Sequence, residues 1–169
     1  YRKSEVKQLL IEEREIAHIC YTTMDIDQAM FSLGKSLGVE WHSPTTDNVG
    51  QHEYKIVFSK NFKPAIELIQ ADKSSPWSPS FGLTLHHFAF WSTNLANEEN
   101  RARKNGLKIE FDGRQYGRSY FYARNLEWPF YLEFLGPDRK NTFAKEWPQI
   151  NDRFWSNLIF EEAEEKYEN

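Results

Sequence analysis

The chain has 169 residues, of which 40% are hydrophobic and 16% aromatic, enough for one packed domain or two half-domains that share a core. A net charge of −4 without any Lys/Arg run argues against nucleic-acid binding. A mean hydropathy of −0.73, with no apolar run near the roughly 20 residues that span a bilayer, argues against a membrane protein. Cys20 is the single cysteine and no signal-peptide pattern is seen, so we expect a cytoplasmic protein.

A strand and a helix are predicted early in the chain. The strand is short and contains His18. The helix follows because apolar residues recur at helical spacing between Ile26 and Leu37. Asp25 with Gln28 three residues later resembles a capping box, and Gly38 suits the left-handed conformation that ends a helix.

The same order of elements is predicted twice. A second strand, containing His87, precedes a polar helix that should begin after Asn94 and end near Gly106. Three strands follow each helix, separated by turn-forming residues. They are predicted at 39–42, 54–59 and 65–70 in the first half, and at 107–111, 119–124 and 130–135 in the second.

This repeat predicts an α+β fold made of two tandem βαβββ modules. His18 precedes Glu67 by 49 residues and His87 precedes Glu133 by 46, a difference that loop length explains. The boundaries that follow are an N-terminal extension at 1–15, modules at 16–70 and 83–137, a linker at 71–82 and a partly helical C-terminal extension at 138–169.

Two histidines and two glutamates occupy matching positions in the modules. His18 and His87 lie in the first strands, and Glu67 and Glu133 interrupt apolar last strands. A carboxylate in such a place costs several kcal/mol unless it is paired or bound to a metal. Together the four residues, called the His/Glu cluster below, offer two nitrogen and two oxygen ligands, which suit Zn, Ni, Co, Mn or Fe. Alternation along the strand predicts that His86 points to the face opposite His87.

A structural interpretation of each residue alone remains open. A single inward histidine is more often a hydrogen-bonded core residue than a ligand, and a glutamate near a strand end is usually solvated. The matching positions in both modules favour a metal site over four independent structural roles.

Several segments resemble one known superfamily over about residues 16–137. They are HICYTTMDIDQAM, the stretch IELIQADKSSPWSPSFGLTLHHFAF, and YLEFLGP. The pattern resembles the vicinal oxygen chelate superfamily, which includes glyoxalase I, methylmalonyl-CoA epimerase, extradiol dioxygenases and bleomycin-resistance proteins. The resemblance is strongest to the glyoxalase and epimerase branch.

The resemblance implies that both modules form curved mixed sheets around a shared cavity. There, a divalent metal would be held by His18, Glu67, His87 and Glu133, and Glu67 or Glu133 would also act as the catalytic base. It implies a small-molecule substrate and allows a homodimer. Glu53 is a further candidate for the base, although a solvated position is favoured for it. Aromatic residues near the expected cavity suggest a hydrophobic or aromatic substrate; they are Trp77, Trp91, Tyr120, Tyr122, Trp128 and Tyr131.

Three functions are compatible with this site. The first is a metal-dependent isomerase or lyase that transfers a proton next to a carbonyl. The second is an iron-dependent extradiol-type dioxygenase, which usually needs two histidines, one carboxylate and open coordination positions. The third is a non-catalytic protein that binds a small molecule such as a drug, a class that commonly lacks the metal ligands.

Overall fold

A computed structural model describes residues 14–146 of the chain. Most of the predicted N-terminal extension, and residues 147–169 of the predicted C-terminal extension, lie outside the described residues. The domain boundaries stay predictions. Within 14–146, no helix combines the length and the apolar character that crossing a membrane would require.

The described residues form eight strands, three α-helices and one short 3-10 helix. In chain order they are β1 Ile16–Thr23, α1 Ile26–Leu37, β2 Thr45–Val49, β3 His52–Phe58, β4 Ala65–Ala71, β5 Leu83–Trp91, α2 Leu95–Lys104, β6 Lys108–Asp112, the 3-10 helix Gly113–Tyr116, β7 Tyr120–Arg124, β8 Tyr131–Leu135 and α3 Pro137–Glu146.

All eight strands join one curved mixed sheet in the order β2-β3-β4-β1-β5-β8-β7-β6. β1 pairs with β4 in parallel, and β5 pairs with β8 in parallel. An antiparallel pairing between β1 and β5 connects the two halves. The four strands that carry the His/Glu cluster are therefore neighbours at the centre of the sheet, and the expected α+β fold class is confirmed.

The caps predicted for α1 are confirmed. The Asp25 side chain accepts a hydrogen bond from the backbone N–H of Gln28 at 3.0 Å. Gly38 ends the helix with φ +70°, a conformation that glycine adopts without a Cβ penalty. In α2, Asn94 likewise caps the first turn through the backbone N–H of Asn97.

The strand predicted at 39–42 is wrong. Within that range only Trp41 forms an isolated bridge, to Ser59, and the second strand is β2, Thr45–Val49. β2 is an edge strand whose first residues are exposed, so its sequence TTDNV shows no apolar alternation that could have predicted it.

The sheet buries side chains on both faces. On one face, Ile26 and Ala29 of α1 pack on Val57 and Leu68. Below α2, Ala102 packs with three further buried residues, Phe121, Ala123 and Phe134. The concave face holds the largest cluster, which includes Cys20, Phe58, Ile69, Trp77, Ala89, Tyr120, Tyr122, Leu135 and Phe143. The cavity expected between the halves therefore lies within an aromatic-rich core.

Candidate metal centre

The four side chains of the His/Glu cluster converge at the centre of the concave face. The Nε2 atoms of His18 and His87 lie 3.1 Å apart, and Glu133 Oε2 lies 3.1 Å from each of them. Glu67 Oε2 lies 3.4 Å from both nitrogens. All four residues are at most 4% exposed, so water does not solvate their charges.

Strand alternation and register bring these residues together. His18 and Cys20 face the concave side from β1, and Cys20 is paired with Glu67 on β4. Ala89 is paired with Glu133 on β8. Cys20 and Ala89 are small and fully buried, which leaves space beside each histidine for the carboxylate of the adjacent strand.

The spacing of these atoms fits a bound cation. Metal–ligand distances of about 2.0–2.2 Å, with right to tetrahedral angles between ligands, place neighbouring ligand atoms about 3.0–3.5 Å apart. The observed separations of 3.1–3.4 Å fall in this range. Among the described residues, the buried Oε2 atoms of Glu67 and Glu133 have no hydrogen bond of acceptable geometry. The ligand atoms of His18, His87 and Glu133 therefore lie close enough together to hold a metal ion, and Glu67 lies slightly farther from the two histidine nitrogens.

Without a metal, the cluster binds protons instead. Burial opposes a charge on His18, but Glu67 and Glu133 outweigh it and raise the pKa of His18 to about 10. The pKa of His87 is also raised by Glu133 and Glu67 against the effect of burial. Burial alone would raise the pKa of the two carboxyl groups, but the histidines hold it well below its usual range.

His86 does not point away from His87, and the expectation from alternation is wrong. In the β1–β5 pairing, Cys20 is paired with His87, and the next residue of β1, Tyr21, is paired with Leu85. His86 therefore has no paired residue on β1 and is the extra residue of a β-bulge. A bulge interrupts the alternation of side chains. The His86 ring is therefore buried on the concave side, between the rings of Tyr122 at 5.4 Å and Tyr131 at 4.9 Å.

Two hydrogen bonds fix how the histidine pair carries its protons. His86 Nε2 lies 2.9 Å from the carbonyl oxygen of Pro76, which can only accept, so this nitrogen donates. Burial, together with the charge of His87, lowers the pKa of His86 to about 3, so its ring is neutral and its Nδ1 is an acceptor. His87 Nδ1 lies 2.7 Å away and must donate to it. Within the cluster, His87 Nε2 is thus the nitrogen left to bind a cation.

Cys20, His86 and His87 also lie close enough to form a set of three ligand atoms. Burial and then Glu67 raise the pKa of the Cys20 thiol well above its usual value, so the thiol is protonated in the metal-free protein. The Nδ1 atoms of the two histidines already share a hydrogen bond, which an ion bound at these atoms would have to replace.

The cluster opens into a small cavity of about 40 Å³. Trp77 of the segment 71–82 closes one side of it and donates from Nε1 to the Tyr122 hydroxyl at 2.9 Å. Phe143 of α3 covers the other side, with its ring 6.1 Å from that of His18. The segment predicted to be a simple linker thus supplies both Trp77 and the Pro76 carbonyl to the site.

Other sequence candidates lie in different places. Of the aromatic candidates, Trp77, Tyr120 and Tyr122 line the small cavity, whereas Trp128 stacks on Phe130 at 5.6 Å. Glu53 is exposed on β3 and alternates with Tyr54, which lines the cavity, so Glu53 is on the opposite face and cannot serve as the base there.

A larger cleft of about 330 Å³ adjoins the small cavity. Both are lined by Tyr54, Ile56, Arg139 and Phe143. The sequence did not indicate Arg139 or Phe143 as site residues, because the helix that carries them follows the last strand and its sequence shows no repeat.

The sequence matches one family model over residues 17–123, described as the Glyoxalase/Bleomycin resistance protein/Dioxygenase superfamily. The chain belongs to this superfamily. The resemblance to vicinal oxygen chelate proteins is thereby confirmed. A search of curated protein sequences finds no match for this superfamily member.

Solved structures share the fold at low sequence identity. Methylmalonyl-CoA epimerase from Mycobacterium tuberculosis is 15% identical with a TM-score of 0.55, covering 77% of this chain and 92% of its own. A hypothetical protein from Bacillus halodurans is 16% identical with a TM-score of 0.55, covering 74% and 95%. A variant of 4-hydroxymandelate synthase from Streptomyces coelicolor is 13% identical with a TM-score of 0.52, covering 73% and 48%. At these identities the similarity establishes the fold alone.

Proposed function

We propose that this superfamily member is a metal-dependent isomerase or lyase that moves a proton next to a carbonyl group of a small substrate. One observation supports this proposal above others. The two buried histidine nitrogens lie 3.1 Å apart, and one oxygen of each buried glutamate lies 3.1–3.4 Å from both of them. A structural core does not need two buried carboxylates whose Oε2 atoms lack hydrogen bonds among the described residues.

The cluster would hold a divalent ion through His18 Nε2, His87 Nε2 and one oxygen each of Glu67 and Glu133. When bound, the ion would stabilise negative charge that develops on a substrate oxygen. Glu67 and Glu133 both line the small cavity, so either carboxylate is placed to take a proton from a bound substrate. Trp77 and Phe143 limit the access of water to this cavity.

Metal content and proton exchange test this proposal. The protein is purified without chelators, its metal content is measured, and it is incubated in D₂O with small carbonyl compounds, including methylmalonyl-CoA because a structural neighbour is an epimerase for it. We expect about one divalent ion per chain and deuterium at the carbon next to the carbonyl. Glu133→Gln should abolish the exchange and leave the fold intact; full exchange in that variant would refute the assignment.

A second candidate is an iron-dependent ring-cleaving oxygenase. His18, His87 and Glu133 form the tightest set of ligand atoms, which matches the two histidines and one carboxylate of such enzymes, and Glu67 is slightly more distant. Iron in the purified protein, with oxygen uptake on a catechol, would favour this candidate. Protein without bound metal that binds an aromatic compound tightly would instead favour the non-catalytic alternative. A homodimer and a cytoplasmic location stay predictions.

A further inference from the structure

Arg139 has an unusual electrostatic environment for an arginine of this chain. Seven arginines lie within residues 14–146, and each of the other six has a carboxylate within 3.9 Å. Arg139 forms no such ion pair with any side chain that the structure describes, and its Nε is buried without a hydrogen-bond partner among them. Its guanidinium lies over the face of the Phe143 ring, 5.0 Å away on the next turn of α3.

The position of Arg139 links the two cavities. It lines both the small cavity at the His/Glu cluster and the cleft of about 330 Å³ outside it. The small cavity, at about 40 Å³, has room for about three water-sized groups. A larger molecule that reaches the cluster with one oxygen would therefore extend towards the residues that line both cavities, Arg139 among them.

The remaining charges in the cleft are already paired. Arg118 donates through Nη2 to both carboxylate oxygens of Asp47, at 3.0 and 2.9 Å. The Tyr54 hydroxyl also donates to Asp47, at 3.1 Å. With a divalent ion bound, the two glutamates of the cluster would balance its charge. Among the described residues that line the two cavities, the positive charge of Arg139 would then be left without a compensating negative charge.

We propose that Arg139 is the binding site for a carboxylate group of the substrate, which places another oxygen of the same molecule at the His/Glu cluster. A planar guanidinium binds a carboxylate through paired, charge-assisted hydrogen bonds. The substrate class would be small carboxylic acids that carry a carbonyl or second carboxylate oxygen able to reach the cluster while the first carboxylate is bound by Arg139. This proposal rests on the proposed function for the role of the second oxygen.

Binding of malonate tests the proposal, with its uncharged diamide, malonamide, as the matched probe. Both are titrated by calorimetry into metal-free and Co²⁺-loaded protein. We expect Arg139→Gln to weaken malonate binding at least tenfold, while malonamide binds the unchanged protein much more weakly than malonate does. Arg101→Gln is the control, because Arg101 is half exposed on α2 and pairs with Glu98 outside the cleft.

Arg139→Met provides a second variant that keeps the aliphatic stem over Phe143 and removes the guanidinium. Equal malonate affinity in the unchanged protein and in either folded Arg139 variant would overturn the proposal. Equal affinities for malonate and malonamide would do the same, as would a lack of malonate binding at millimolar concentration. Co²⁺ stoichiometry is measured separately in every protein, so failure of the metal site is distinguished from failure of the carboxylate site.

Discussion

His86→Phe should weaken metal binding although His86 is not one of the four proposed ligands. Phenylalanine keeps an aromatic ring between Tyr122 and Tyr131 but removes both hydrogen bonds of the imidazole. His87 then loses the acceptor that holds its Nδ1 proton and fixes its ring. Loss of such an outer partner typically lowers metal affinity about 10–100-fold. That corresponds to about 1.4–2.8 kcal/mol of binding free energy.

The same substitution should also lower the stability of the metal-free protein. It leaves the buried Nδ1–H of His87 and the partly buried carbonyl of Pro76 without their present partner. Each unsatisfied buried group costs about 1–3 kcal/mol. Metal affinity and free energy of unfolding must therefore be measured separately.

Competition between the protein and a chromophoric chelator for Zn²⁺ gives the affinity, and urea unfolding gives the stability. His52→Phe is the matched control, because His52 lies on β3 and does not line the small cavity at the His/Glu cluster. We expect its Zn²⁺ affinity to be unchanged. In the unchanged protein, ¹⁵N spectra of the histidine rings should show a proton on His87 Nδ1.

Unchanged Zn²⁺ affinity in His86→Phe, together with reduced stability, would show that His86 only packs the core. A His87 ring protonated at Nε2 and not at Nδ1 in the metal-loaded protein would contradict the hydrogen-bond assignment itself. Neither result would decide whether the four residues of the His/Glu cluster bind a metal ion. That question is tested by substitutions of those four residues.

Three further predictions concern protonation and packing. Because the pKa of His18 is raised from 6.5 to about 10, metal binding at pH 7 should release at least one proton, measurable by calorimetry in buffers of different ionisation enthalpy. By the same shift in the pKa of His18, the metal-free protein should be most stable below about pH 6.5 and should lose stability towards pH 10. A thermal unfolding midpoint that increases over this pH range would contradict the raised pKa of His18. Phe121 is fully buried with its ring 5.1 Å from that of Phe134, so Phe121→Ala should cost about 3–5 kcal/mol in urea unfolding. Phe81→Ala, at a residue 78% exposed, should change stability by less than about 0.5 kcal/mol, and equal losses in both variants would refute the packing argument.

Local patterns were sufficient to predict most of the fold. Helix α1 was predictable because its caps and apolar face are encoded within fourteen residues, from Asp25 to Gly38. The edge strand β2 was not, because an exposed strand has no buried face to impose alternation. Its position depends on pairing with β3, which is a tertiary contact.

The sequence by itself determined which four residues belong to the candidate site, because the repeat and strand alternation select matching histidines and glutamates. Only the tertiary structure decided what surrounds them. A shift in the β1–β5 register turns His86 towards His87, and α3 carries Arg139 and Phe143 over the cavity. Both features depend on contacts between segments distant in the chain. No periodicity within one segment records such contacts.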